Sequence, residues 1–275
     1  MCVFFSIFCY NIDMENVVFL IYFFILGTIV GSFLNVVVER TKHKKSFLLN
    51  RSACPMCGHI LNVWDLIPLF SYIFLNGKCR YCQKKISWQY FVMELVTGVI
   101  FGLIYLSVET IHELSLPDIH NILLLFFYLI IASFLIIIFV YDLKYYLILD
   151  KIVVPGMVVA LIGNFLLGRN WLDLLLGAVI GSGIFLLQYT ISRGKWVGGG
   201  DIRLGLFMGL ILGWKLVLVA LFISYLFGAT IGVGLILLKR KKMQDTLPFA
   251  TFLSVATLIT MLCGSSILTW YINLF

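Results

Sequence analysis

Two groups of side chains in this sequence have the types and spacing that chemistry requires. The first is Cys54-Pro-Met-Cys57 and Cys79-Arg-Tyr-Cys82, a repeated C-x-x-C pair. Each pair projects two thiolates from a tight knuckle, and two knuckles complete a tetrahedral site with zinc–sulfur bonds of about 2.3 Å. Lys44, Lys45, Arg51, Lys78, Arg80, Lys84 and Lys85 lie around them and offset four thiolate charges. Redox pairs or an iron–sulfur cluster are the competing uses of such spacing. His59 reads as a surface residue or a substitute ligand, and Cys2, Cys9 and Cys263 sit in apolar contexts and read as inert.

The second group is acidic. Glu94, Asp142, Asp173 and Asp201 lie in or beside apolar stretches, where charge is costly and an acid is a functional candidate. Asp142 closes the apolar run 119–141, and Asp201 follows Gly198-Gly199-Gly200 and opens the next run. Two carboxylates held at one depth cannot both ionise cheaply, so such a pair holds a shared proton. One member can then activate water while the other protonates a leaving amine. The three glycines, lacking Cβ atoms, would let the backbone approach a bound peptide and adopt positive φ, and residues 198–201 look unwound. The plainer uses are an interface anchor beside Lys144 for Asp142 and a helix cap near Arg203 for Asp201.

The elements that must position these groups follow from composition. The chain is 62% hydrophobic and 12% charged, with mean hydropathy +1.07. Soluble domains average roughly 45–50% apolar and about 25% charged residues. A soluble domain, a disordered chain and a secreted disulfide scaffold are therefore excluded. The sequence predicts an all-α polytopic membrane protein with about eight transmembrane helices and a cytoplasmic zinc-ribbon-like loop between the first two. The spans read as 17–38, 89–108, 119–141, 152–168, 172–191, 202–213, 216–238 and 247–272. The sixth is too short to cross alone, so it is expected to begin in the glycine run and continue past Trp214.

With alternating topology, the loops 39–88, 142–151, 192–203 and 239–246 hold every Lys and Arg except Arg169 and Lys215. This bias places those loops in the cytoplasm. The opposite face has Asp13, Glu15, Glu109, Glu113, Asp118 and Asp173. The net charge of +7 is then an orientation signal aided by membrane lipid, and no nucleic-acid motif accompanies it.

Four parts are expected: an N-terminal segment 1–16, a first transmembrane helix 17–38, a cytoplasmic four-cysteine zinc loop 39–88 and a membrane core 89–275. Residues 1–16 lack a basic n-region and a cleavage site, so they do not read as a signal peptide, and Met14 offers an alternative start. Gly177, Gly181 and Gly183, and likewise Gly228, Gly232 and Gly234, have the small-residue spacing of close helix contacts.

With these residues in place, the chain resembles the bacterial type IV prepilin peptidases, the leader peptidase/N-methyltransferase family of GxGD-type membrane aspartyl proteases. The likeness runs through Gly31-Ser32-Phe33-Leu34-Asn35-Val36, Cys54-Pro55-Met56-Cys57-Gly58-His59 and Ile67-Pro68-Leu69-Phe70-Ser71-Tyr72. It continues in Gly77-Lys78-Cys79-Arg80-Tyr81-Cys82, Ile86-Ser87, Tyr90 with Glu94-Leu95, Asp142 with Ile148-Leu149-Asp150, Gly198-Gly199-Gly200-Asp201-Ile202-Arg203 and Leu247-Pro248-Phe249-Ala250.

The resemblance implies that Asp142 and Asp201 are a catalytic pair. Their substrates would be type IV pilin-like precursors, cleaved after a basic leader at the cytoplasmic face of the inner membrane. It also implies methylation of the new N-terminus with S-adenosylmethionine, zinc on Cys54, Cys57, Cys79 and Cys82, and Glu94 near the methylation chemistry. Gly198, Gly199, Gly200, Arg203 and Asn35 would support the site, Asn35 either as a hydrogen-bond partner or as helix packing. Three positions depart from the family pattern: Arg203 for Lys, Leu149 for Pro and Ala250 for Gly. A peptidase without methyltransferase activity, a proton- or ion-coupled transporter and a scaffold with a zinc loop are the alternatives.

Overall fold

The structure is a computed structural model that describes residues 14–42, 52–54, 56–112, 119–239 and 247–274, without the side chains of 109–112. Residues 1–13 with Cys2 and Cys9, and also Lys44, Lys45, Arg51, Pro55, Glu113, Asp118, Arg240, Lys241 and Lys242, lie outside the described residues. The described regular structure is helical. One unit spans Asn11–Leu114 and the other takes in Ser115–Phe275.

In the first unit, α1 (Met14–Lys42) lies against α3 (Trp88–His112). Association between helices in lipid depends on close van der Waals fit. Here a Cβ at Gly27 would stand 2.7 Å from the Thr97 carbonyl oxygen, so only glycine admits the contact. Between these helices the chain forms a 3₁₀ turn at Val63–Leu66, capped by Asn62, and the short α2 (Phe70–Phe74).

The second unit contains α4 (Ile119–Tyr145), α5 (Asp150–Leu166), α6 (Trp171–Ser192), α7 (Gly199–Leu237) and α8 (Phe249–Ile272). Six described helices in the two units are long and apolar enough to cross a membrane. With α5, and with α7 counted as two, eight apolar segments occupy the positions read from the sequence.

The division of α7 corrects one expectation. The helix does not continue past Trp214 but turns back at Gly213, whose φ of 77° and ψ of 177° belong essentially to glycine alone. Gly181 of α6 consequently touches Gly205 before the turn and Val217 after it. From Gly199 to Leu212 the helix is about 21 Å long, shorter than the roughly 30 Å hydrocarbon layer. The backbone groups freed at the turn must therefore be met by protein. Asn164 Nδ2 donates to the Leu210 carbonyl at 2.7 Å, and Arg169 Nη1 donates to that of Ile211 at 3.2 Å. Asp173 Oδ1 accepts from the Trp214 N–H at 3.3 Å. Asp173, a functional candidate by sequence, is thus a cap for the second half of α7.

The glycine spacing is partly confirmed. Gly177 and Gly181 press against Gly209 and Gly205 of α7, where added Cβ atoms would overlap the facing backbone. Gly183 and Gly234 face open space, and Gly228 makes ordinary contacts.

Candidate active site and cysteine cluster

Asp142 and Asp201 stand at one end of the Ser115–Phe275 unit, where a Cβ at Gly200 would come 2.8 Å from Ile148 in the segment that follows Asp142. Asp142 occupies the last turn of α4, which the Tyr146 N–H closes on the Asp142 carbonyl. Its side chain faces inward and is 4% exposed. Oδ2 accepts from the backbone N–H of Thr251 at 3.0 Å. Thr251 lies in the first turn of α8, where N–H groups lack intrahelical partners and the helix dipole favours an anion. Lys144, the anchor partner considered from sequence, instead lies over the Tyr145 ring.

Asp201 stands in the first turn of α7 and is 9% exposed. Its Oδ2 accepts from the Gly198 N–H at 3.0 Å, so it does cap its own helix. Capping and chemistry are compatible, since a carboxylate has acceptor sites to spare.

The glycine run works differently from expectation. Gly198 has an ordinary extended backbone (φ −81°, ψ 156°), and α7 already begins at Gly199, so the stretch is neither unwound nor at positive φ. Gly200 is needed for proximity: a Cβ there would stand 2.8 Å from Ile148 Cβ, in the connection from α4 to α5. Gly199 faces open space. Arg203 pairs with Asp150 rather than with Asp201, tying α7 to the start of α5 through two half-exposed side chains.

Asn35 and Glu94 belong to the other unit and find their partners there. Asn35 is 2% exposed and donates to the Tyr90 carbonyl at 3.2 Å, a bond between α1 and α3. Glu94 is buried, and its Oε2 accepts from the Leu69 N–H at 2.8 Å. Leu69 has φ 62°, a costly backbone for a leucine, and the Glu94 bond helps hold it. Ser32 and Leu69 both line a cavity of about 620 Å³ that Thr28, Arg40 and Val63 also border.

The four cysteines form one cluster whose sulfur atoms all lie within 4.8 Å of one another. Both knuckles fold alike. The Cys54 N–H donates to the His59 carbonyl and Gly58 N–H to that of Cys54; the Cys79 N–H donates to Lys84 and Gln83 N–H to Cys79. Gly58 and Gln83 occupy the matching left-handed positions, with φ 68° and 57°. Burial pushes the Cys54 thiol up, but the Met56 and Cys57 N–H groups and the neighbouring thiols outweigh it and bring it to about 7. Cys82 goes the other way, to about 11: the Lys84 N–H favours its thiolate, and burial with hydrogen bonds to the other thiols prevails. Four crowded thiols ionise together only around a cation. Arg80 is engaged by Asp65 at 2.8 Å, and His59 lies tilted against the Tyr81 ring rather than among the four cysteines.

A multi-helix membrane protein with paired acids at a helix-end junction and a four-cysteine cluster is the class these features define. Residues 25–108 match the Bacterial Peptidase A24 N-terminal domain, and residues 129–233 match the Type IV leader peptidase family. A prepilin leader peptidase/N-methyltransferase of Bacillus subtilis (strain 168) is 34% identical over 91% of this chain and 97% of its own length. Similar proteins of the same name from Aeromonas hydrophila (31%; 92% and 93%) and Pseudomonas aeruginosa (30%; 90% and 92%) also match. No solved structure matches the chain significantly. The chain belongs to the type IV leader peptidase family.

The first turn of α8 received no role from the sequence beyond the family likeness of Leu247 to Ala250. Its signal was the helix start after Pro248, which leaves N–H donors free.

Proposed function

We propose that this protein removes the basic leader of type IV prepilin-like precursors at the cytoplasmic face of the bacterial inner membrane and then methylates the new N-terminal amine. The observation that supports cleavage is the junction of Asp142 and Asp201, each buried and each held by a backbone N–H at a helix start. In this reading the ionised aspartate takes a proton from water. The neutral one polarises the scissile carbonyl oxygen through a hydrogen bond, keeping its proton, and gives that proton to the departing amine as the carbonyl re-forms, so that the proton taken from water stays on the other aspartate. Assistance of this kind contributes about 10²–10⁴-fold. The basic loops repel a basic leader, so contacts with the precursor's apolar helix and this chain's own Glu and Asp side chains provide the attraction.

Cys54, Cys57, Cys79 and Cys82 would hold one structural zinc, because tetrahedral zinc thiolate sites have sulfurs about 3.8 Å apart and Cys54 Sγ lies 3.9 Å from Cys82 Sγ. Zinc there would neutralise the thiolates and fix the zinc-ribbon-like loop. S-adenosylmethionine enters as a substrate. The cavity lined by Ser32 and by Leu69, which Glu94 holds, has the volume of a small-molecule site and is our candidate for its seat.

The test is one incubation of the purified chain in detergent with a prepilin-type precursor and S-adenosylmethionine, read by mass. Leader loss with one added methyl is expected. Leader loss alone would leave a peptidase without methyltransferase activity, and an intact precursor would overturn the reading.

A further inference from the structure

Gln188 of α6 and Tyr225 of the second half of α7 are polar side chains that the proton chemistry above does not use. Gln188 Nε2 donates to the Tyr225 phenol oxygen at 2.7 Å. The Tyr225 ring lies against Phe249, centroids 5.2 Å apart, and Phe249 opens the helix whose Thr251 N–H holds Asp142. Phe249 also packs on Phe185 of α6, centroids 6.0 Å apart, and the Phe185 ring lies against Gly205 in the first half of α7, one turn past Asp201. Tyr225 therefore lies against the segment that holds Asp142, at the end of the unit where Asp201 also stands.

The direction of the Gln188 bond decides what remains available. An amide NH₂ only donates, so the phenol oxygen is the acceptor and its own proton points elsewhere. Among the described residues that proton has no acceptor. In an apolar span an unused donor is costly, yet Tyr225 is 37% exposed and open to a bound molecule. Packing glue between α6 and α7 would explain the Gln188 bond but not the spare proton. An extended peptide presents carbonyl oxygens that need donors, while the aspartate pair offers mostly acceptors.

We propose that Tyr225, oriented by Gln188, donates a hydrogen bond to a backbone carbonyl oxygen of the bound precursor beside the scissile bond. The proposal rests on the reading of Asp142 and Asp201 as the acid–base pair. Tyr225 would touch substrate, and Gln188 would be a positioning residue.

The test uses the full chain in detergent and a prepilin-type precursor, with kcat and KM measured for Tyr225→Phe, Gln188→Leu and the double variant. Tyr225→Phe keeps the ring against Phe249, so a purely structural role predicts no change. The proposal predicts a roughly tenfold loss of kcat/KM with an unchanged melting temperature. Gln188→Leu should lose about three- to fivefold, and the double variant should be no worse than Tyr225→Phe, since the amide acts through the phenol. Wild-type kcat/KM for Tyr225→Phe, or losses that multiply in the double variant, would overturn it. Asp201→Asn, run alongside, separates the two readings: if it cleaves normally the aspartate assignment fails, whereas a silent Tyr225→Phe beside an inactive Asp201→Asn sinks the donor alone.

Discussion

Asp142 and Thr251 are joined by a 3.0 Å hydrogen bond from the backbone N–H of the threonine to the carboxylate of the aspartate, across 109 positions of sequence. The bond fixes the end of α4 on the start of α8. It also makes the orientation of a candidate catalytic acid depend on a peptide group rather than on a side chain.

Replacing Thr251 should therefore matter only when the N–H is lost. Thr251→Ala removes the hydroxyl bond to the Pro248 carbonyl and keeps the N–H, so cleavage should stay within about threefold of wild type. Thr251→Pro removes the donor in the first helical turn, and a bond to a charged group is worth about 1.5–3 kcal/mol, or roughly 10–100-fold in rate. Cleavage kinetics with circular dichroism as a folding check would distinguish them.

The α6–α7 contact should show the same selectivity. Gly209→Leu drives a side chain into the backbone of Gly177 and should destabilise by about 1–3 kcal/mol or more. Gly183→Leu meets open space and should stay within about 0.5 kcal/mol. Thermal unfolding in detergent reads both. Equal losses would mean that the glycine contact does not hold these helices together.

Much of this was legible from one chain because lipid permits so few solutions. Apolar run lengths gave the helices, and the depth of Asp142 and Asp201 in those runs placed both acids at one end. The break between two spans at 213–216 was legible, because Lys215 interrupts the apolar run, but the sharpness of the turn at Gly213 was not, since its signal is a single φ of 77°. The roles of Asn164, Arg169 and Asp173 depend on that turn and were hidden with it. Gly198 to Gly200 misled for a related reason: glycine marks either backbone freedom or close approach, and only the position of Ile148 against Gly200 decides. Arg203 looked like a partner for the nearby Asp201, but its helix direction carries it to Asp150.

That ion pair gives a negative prediction. Arg203 and Asp150 are half exposed, and such pairs contribute about 0–1 kcal/mol. Arg203→Lys should keep stability and cleavage within about twofold of wild type, measured by unfolding and by kcat/KM. A loss beyond tenfold would give Arg203 a part in the chemistry.

Metal removal tests the cysteine cluster separately. About one zinc per chain is expected by elemental analysis, falling close to zero in the Cys54→Ser, Cys57→Ser double variant. Strong chelation should lower the melting temperature of the wild-type protein and leave that of the variant unchanged. Unaltered metal content in the variant would place the metal elsewhere.

The central claim is that two acids at one membrane edge share the work of peptide cleavage. It is tested most directly by incubating Asp142→Asn and Asp201→Asn, each confirmed as helical and inserted, with a prepilin-type precursor and reading the mass of the product. The account predicts that both leave the leader attached, with rates down by at least about 10²-fold. Normal processing by either variant would contradict it.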